Sequence, residues 1–102
     1  MEIPFNLTIN ESIVASCIVV EENENIYELN NVFVKEEERG NGYAQKLLLK
    51  IIEYYKLNTI NKVMLKICCE ITNIPAVKTY IKVFGEPYRQ DCRYYYFFIF
   101  TK

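Results

Sequence analysis

Val32-Phe33-Val34-Lys35-Glu36-Glu37-Glu38-Arg39-Gly40-Asn41-Gly42-Tyr43-Ala44-Gln45-Lys46-Leu47-Leu48 is the stretch that decides the fold. Val32 to Val34 are β-branched or aromatic and read as the end of a strand. After Gly42 the period changes. Ala44, Leu47, Leu48, Ile51, Ile52 and Tyr55 fall at helical spacing, while Gln45, Lys46, Lys50, Glu53 and Lys56 fill the other side. A loop between a strand and a helix leaves the N–H groups of the first helical turn without partners, and its glycines let another molecule approach the backbone. Such a loop favours an anion. The helix terminus contributes about 0.3–1 kcal/mol per anionic charge, up to about 2 when partly buried, and Arg39 adds a charge-assisted hydrogen bond. Arg39, Gly40, Asn41, Gly42, Tyr43, Ala44 and Gln45 are therefore candidate phosphate-binding residues.

Working outward, Phe5, Leu7 and Ile9 alternate with polar neighbours, and Asn10-Glu11-Ser12 turns the chain into a β-branched stretch, Ile13 to Val20. Glu21 to Asn25 reads as the next turn. Ile26 to Val34 resumes strand character, with Asn30-Asn31 signalling a bulge. Beyond the long helix, Lys62 to Cys69 alternates as a strand, so strand, helix and strand imply a parallel pair with a right-handed crossover. A second helix is predicted from Ile74 to Phe84, capped by Asn73, admitting Pro75 in its first turn and ended by Gly85. Ile74, Val77, Ile81 and Phe84 form its apolar stripe, whereas Asn73, Ala76 and Tyr80 share another face. The aromatic tail Tyr88 to Phe100 reads as one long strand or a short hairpin turning near Asp91-Cys92.

These elements make an α/β (α+β) fold in one domain spanning residues 1–102, with a mixed central sheet, a β-α-β-α core and N-terminal antiparallel strands. Twelve basic and thirteen acidic residues leave a formal charge of −1, so no overall field recruits nucleic acid or an anionic membrane. The absence of histidine removes the commonest acid/base group and the metal motifs that need it. Cys17, Cys68, Cys69 and Cys92 lack paired metal spacing and read as reduced core thiols, with no metal site expected. No signal segment or membrane span is evident, which predicts a soluble, cytoplasmic protein. A chain of 102 residues buries only about 65% of its unfolded surface, which makes oligomerisation, a homodimer for one, worth testing.

The stretch from Val32 to Leu48 also resembles motif A of the GNAT superfamily of N-acetyltransferases, whose loop reads Q/R-x-x-G-x-G/A. Arg39, Gly42 and Ala44 match its fixed positions. Asn73, Ala76 and Tyr80 keep the spacing of the same superfamily's motif B. Together the two motifs cover roughly residues 13 to 85. The resemblance implies acetyl-CoA as co-substrate and a primary amine, either a protein lysine or a small amine, as acceptor. It implies strands that splay apart after Val34 and near Cys69, with the pantetheine arm in the gap. Backbone groups of Val32 and Val34 would bond that arm, amides from Arg39 to Gln45 would hold the pyrophosphate, and Asn73 would touch the arm. Tyr80 matches the tyrosine that protonates the departing thiolate.

The sequence departs from the family at several points. Lys35-Glu36-Glu37-Glu38 replaces the usual Pro-aromatic pair, so three carboxylates near an anion must face solvent. Phe84-Gly85 inverts the usual order. The first strand and the two helices that wall the acceptor site have no counterpart before Phe5, which leaves that side open or closed by a homodimer or a partner protein.

Deprotonating a lysine-like amine costs about 4.6 kcal/mol at pH 7. Glu28, on the strand before the loop, is the candidate base, acting directly or through water; Asn30 could only orient water or substrate. A solvated strand residue is the alternative for Glu28. An inactive acetyl-CoA-binding or protein-interaction module is the alternative function. Tyr88, Arg89, Arg93 and Tyr94 to Tyr96 resemble a nucleic-acid surface only weakly, since alternating aromatics more often fill a sheet.

Overall fold

A computed structural model describes residues 1–101. The alternating N-terminal segment forms β1 (Glu2–Ile9), and Asn10 and Glu11, with φ of 50° and 69°, turn the chain into β2 (Ser12–Asn23). Left-handed backbone at both central positions matches a two-residue turn to the twist of its strands. β2 runs past the expected end at Val20. Glu21 pairs with Tyr27 and Asn23 with Ile26, so the polar run is the tip of a longer hairpin. Its exposed side chains stay in water while its backbone groups pair.

The bulge expected in β3 (Ile26–Val34) is present. Asn31 has φ of 53°, and the register against β2 slips where Ser16 and Ile18 face Phe33 and Asn30. The extra residue resets the facing of the strand. Leu29 is buried in the core before the slip, and Val32 and Val34 pack on the same side after it.

A short 3₁₀ turn (Glu36–Glu38), α1 (Tyr43–Asn58), β4 (Met64–Glu70), α2 (Ile74–Phe84), β5 (Arg89–Gln90) and β6 (Tyr94–Phe100) follow. The sheet runs β1-β2-β3-β4-β6-β5, and only β3 and β4 are parallel. α1 supplies the crossover that a parallel pair requires. The aromatic tail is a hairpin. Its turn is held by Asp91, whose Oδ1 accepts from the backbone N–H of Arg93 and of Tyr94 at 2.8 Å each. Asp91 Oδ2 accepts from the Tyr96 hydroxyl at 2.7 Å.

Both helices pack on one face of the sheet. α1 buries Leu47, Leu48, Ile51 and Tyr55 in a core with Ala15, Cys17, Val19, Leu29, Leu65, Ile67 and Phe97. Each fully buried Leu or Ile side chain contributes about 1.5–3 kcal/mol. On the other face, Glu28, Lys66, Cys68, Tyr96, Phe98 and Phe100 alternate away from that core. No helix among the described residues covers them.

Two expectations need correction. In α2 the stripe Val77, Ile81 and Phe84 packs against the core and Asn73, Ala76 and Tyr80 share a cleft-facing side, but Ile74 leaves the stripe at 52% exposed and Tyr80 is itself buried, 6% exposed. The Tyr80 ring meets Phe84 and Phe97 edge to face, with centroids 6.3 and 5.8 Å away, and this aromatic packing sets the roll of the helix. The four cysteines are not all core thiols. Cys17 and Cys69 are buried, but Cys68 and Cys92 are exposed, because adjacent strand residues face opposite ways and Cys92 lies in the hairpin turn.

Candidate active site

β3 and β4 pair only through Ile26, Tyr27 and Glu28 opposite Met64, Leu65 and Lys66. Past Glu28 the bulge bends β3, and pairing with β4 ceases. Lys35 N donates to the Val14 carbonyl at 2.9 Å, so on this part of β3 the odd positions spend their backbone groups on β2. Val32 and Val34, by alternation, present theirs to the gap. The gap widens into a cleft of about 650 Å³. It is lined by Val32 and Val34, by Arg39, Gly40 and Gly42 of the loop, by Tyr43, Ala44 and Gln45 of α1, and by Asn73 and Tyr80.

The loop reaches that cleft through two left-handed glycines, Gly40 at φ 87° and Gly42 at φ 74°. Gly42 is the N-cap of α1, and no side chain caps the helix there. Lys46 N donates to the Gly42 carbonyl at 3.1 Å, which makes it the first amide of the helical ladder. The amides of Tyr43, Ala44 and Gln45 precede it and stay available. Arg39 Nε donates to the Val34 carbonyl at 3.2 Å, which tethers the side chain beside the cleft and leaves its terminal nitrogens as donors. Asn41 does not line the cleft; its Nδ2 donates to the Glu38 carbonyl at 3.0 Å and closes the loop. Glu36, Glu37 and Glu38 stay off the cleft lining, as the sequence required for an anion site.

The second helix brings further groups. Asn73 Oδ1 accepts from Ala76 N at 3.3 Å, the predicted cap, and its side chain also borders the cleft. Pro75, Thr79 and Lys82 line it too and were not singled out from sequence. Their signal was the helical period: positions 75, 79 and 82 continue the stripe that holds 76 and 80. Lys82 adds a second cation to the lining, in addition to Arg39. Two cations, three open amides and no lining carboxylate form a donor set that fits a diphosphate, with an apolar slot above it.

Tyr80 stands at the inner end. Burial first, and then the neighbouring thiols of Cys69, Cys17 and Cys68, push its hydroxyl well above the ordinary value of 10. It therefore stays protonated and able to donate. The buried thiols are inert by the same physics, Cys17 and Cys69 each pushed up to about 11 by burial. Glu28 is not brought to the cleft. It lies half-buried on the open face, at the last paired position before β3 and β4 part. Beside it Lys66 is engaged elsewhere, with Nζ 3.0 Å from Glu22 Oε2. The family-model comparison decides what this geometry belongs to: residues 2–85 match the model of the "Acetyltransferase (GNAT) family".

The chain belongs to the GNAT acetyltransferase family. Membership makes it an acyltransferase. The GNAT fold is repeated in solved structures of low sequence identity. Campylobacter jejuni N-acetyltransferase PseH, in complex with acetyl coenzyme A, is similar at 24% identity with a TM-score of 0.78, over 96% of this chain and 67% of that one. The ribosomal-protein-S18-alanine N-acetyltransferase of Escherichia coli is similar at 17% identity with a TM-score of 0.78, over 99% and 70%. The IAA acetyltransferase of Bacillus cereus is similar at 18% identity with a TM-score of 0.76, over 97% and 77%. A search of curated protein sequences gives no match. Among the described residues no helix is long and apolar enough to cross a membrane.

Proposed function

We propose that this GNAT protein moves the acetyl group of acetyl-CoA to a primary amine by direct attack, with Tyr80 as general acid. One observation carries the reading: the uncapped first turn of α1 and the buried Tyr80 hydroxyl border the same cleft. The donor supplies a thioester, whose carbonyl carbon takes the amine as the C–S bond breaks. The amides of Tyr43, Ala44 and Gln45, with Arg39 and Lys82, hold the diphosphate. Backbone groups of Val32 and Val34 align the arm as an added strand would, and Asn73 borders it from α2. Tyr80 donates its proton to the departing sulfur, for which its raised proton affinity keeps it loaded at neutral pH.

The amine enters from the open face, where the strands part beside Glu28. That carboxylate takes the ammonium proton, directly or through water. The wide approach favours a protein lysine over a small amine, and a second copy or a partner protein closes it. A cytoplasmic location fits such an acceptor.

Native mass spectrometry with acetyl-CoA, followed by radiolabelled transfer to polyamines, aminoglycosides, amino acids and whole-cell protein, tests the activity. Tyr80→Phe should lower turnover about 10²-fold or more with little change in CoA affinity. Equal turnover of the two proteins removes the role assigned to Tyr80. The placement of Glu28 outside the cleft favours one second reading, a GNAT module that binds acetyl-CoA without transferring it. Stoichiometric cofactor binding with no labelled acceptor would select that reading.

A further inference from the structure

The sheet carries helices on one side only, and its other face is not the polar surface that an antiparallel sheet turns to water. Tyr94, Tyr96, Phe98 and Phe100 alternate along β6 on that face, with Tyr88 edge to face on Phe98 at 5.1 Å. Phe33, Tyr88 and Phe100 are 53%, 52% and 43% exposed. Ile18 and Val20 of β2 belong to the same face, because their neighbours Cys17 and Val19 point into the core. One helix layer on one sheet makes the molecule flat, 36 × 35 × 22 Å along its principal axes. Its broad side has an outline of roughly 1,000 Å², more than the roughly 800 Å² per partner that a stable interface uses.

Charge is divided across this face. From Met1 to Val34, the span of β1, β2 and β3, every charged side chain is a glutamate. On the other half, Lys62 lies 4.7 Å over the Phe100 ring, Arg89 4.6 Å over Tyr96 and Arg93 5.8 Å over Tyr94. The acids of that half are placed apart from this stripe: Asp91 spends both oxygens on its own hairpin, Glu70 ends β4 and Glu86 follows α2.

The strand registers fix which rows cross the sheet. One row reads Glu2, Val20, Glu28, Lys66 and Phe98. Another reads Pro4, Ile18 and Asn30, then, across the parted strands, Cys68, Tyr96 and Arg89. A twofold axis along the strands, over the seam between β3 and β4, turns each row back on itself. Val20 then meets the partner's Phe98, Glu28 the partner's Lys66 and Ile18 the partner's Tyr96. Stacked sheets pack about 10 Å apart with their strands within about 30°, which this axis satisfies. An axis across the strands would instead set glutamate on glutamate and cation on cation.

We propose that this face binds a second copy of the chain about a twofold axis parallel to the strands, glutamate half on cationic half, with the aromatic stripe of β6 against Ile18 and Val20. The inference selects one of the two closures offered above for the acceptor side and rests on that reading in this respect alone. The second copy roofs Glu28, and the amine reaches it along the seam, from the end where β3 and β4 part.

The test is sedimentation equilibrium of the full chain without acetyl-CoA. At about 50 µM wild type should show twice the 12.1 kDa of one chain, since interfaces of this size bind at micromolar Kd or tighter. Two double variants each reverse one half at exposed positions: Arg89→Glu with Arg93→Glu, and Glu2→Lys with Glu11→Lys. Each alone sets like charge on like and should bind itself at least about tenfold more weakly. Mixed in equal amounts, the two should recover a mixed dimer by native mass spectrometry, which unfolded chains would not do. A wild type that stays at 12.1 kDa, self-association of either variant as tight as wild type, or a mixture that stays monomeric overturns the inference. Because the masses are read without cofactor, those results leave the proposed transfer reaction standing, and a dimer that transfers nothing counts against that reaction alone.

Discussion

The two ends of α1 meet opposite needs with opposite chemistry. At the N-terminus the chain withholds a capping side chain, sets Gly42 left-handed and surrounds open amides with Arg39 and Lys82. At the C-terminus side chains occupy two of the last carbonyls, and tyrosines with Glu21 enclose what remains. One helix thus presents the two ends of a single dipole to opposite surroundings. The lesson is that a polar helix end acts as a site only where the surrounding fold leaves it room and adds matching charge.

The most severe way to break this contrast is Gly42→Asp, which places a carboxylate among the open amides. Asp is among the few side chains that tolerate positive φ, so the fold should survive. CoA affinity should fall by at least about tenfold by isothermal titration, while the thermal melt of the chain stays close to that of wild type. A markedly lowered melt would mean that the mutation had disturbed α1 as a whole. A smaller effect is expected from Lys82→Ala. Its cation borders an open cleft, so CoA binding should weaken a few-fold at low salt, and the difference should shrink as salt is added.

The smallest effect lies remote from both ends and serves as their reference. Hydrogen bonds from Tyr96, Arg93 and Tyr94 lower the Asp91 carboxyl from 3.8 to about 2. A folded-state value below the unfolded one stabilises the protein above the unfolded value, and that contribution is lost as pH falls towards the folded one. Thermal melts from pH 3.8 down towards about 2 should therefore decline more steeply for wild type than for Asp91→Asn. Because Asp91 is fully solvated, the gap between the two curves should be slight.

What the sequence disclosed about the two ends differs for a physical reason. The glycine loop, the period of α1, the Asn73 cap and the motif position of Tyr80 are local signals, and they were legible. The bulge was legible as a pair of asparagines, but the facing of the residues after it was not, because one unpaired residue reverses every later side chain. The burial of Tyr80 also escaped, since its ring packing on Phe84 and Phe97 draws a residue of the cleft side into the core. The enclosure at the C-terminal end left no local trace. Glu21, Tyr27 and Tyr55 meet only because the β2–β3 hairpin outruns its expected turn and a crossover lays α1 across it.

Asn31 has a consequence that outlasts any one ligand. By bending β3 away after Glu28, it leaves Val32 and Val34 along an unfinished seam, where no strand pairs with them on the β4 side and the Val34 carbonyl takes only the Arg39 side chain. A co-substrate arm lying in that seam, as proposed, would extend the sheet with non-protein material and so be a tenant of the architecture. Protein and acyl donor would then rise and fall together in heat resistance, and the scarcity of one would be felt as fragility of the other.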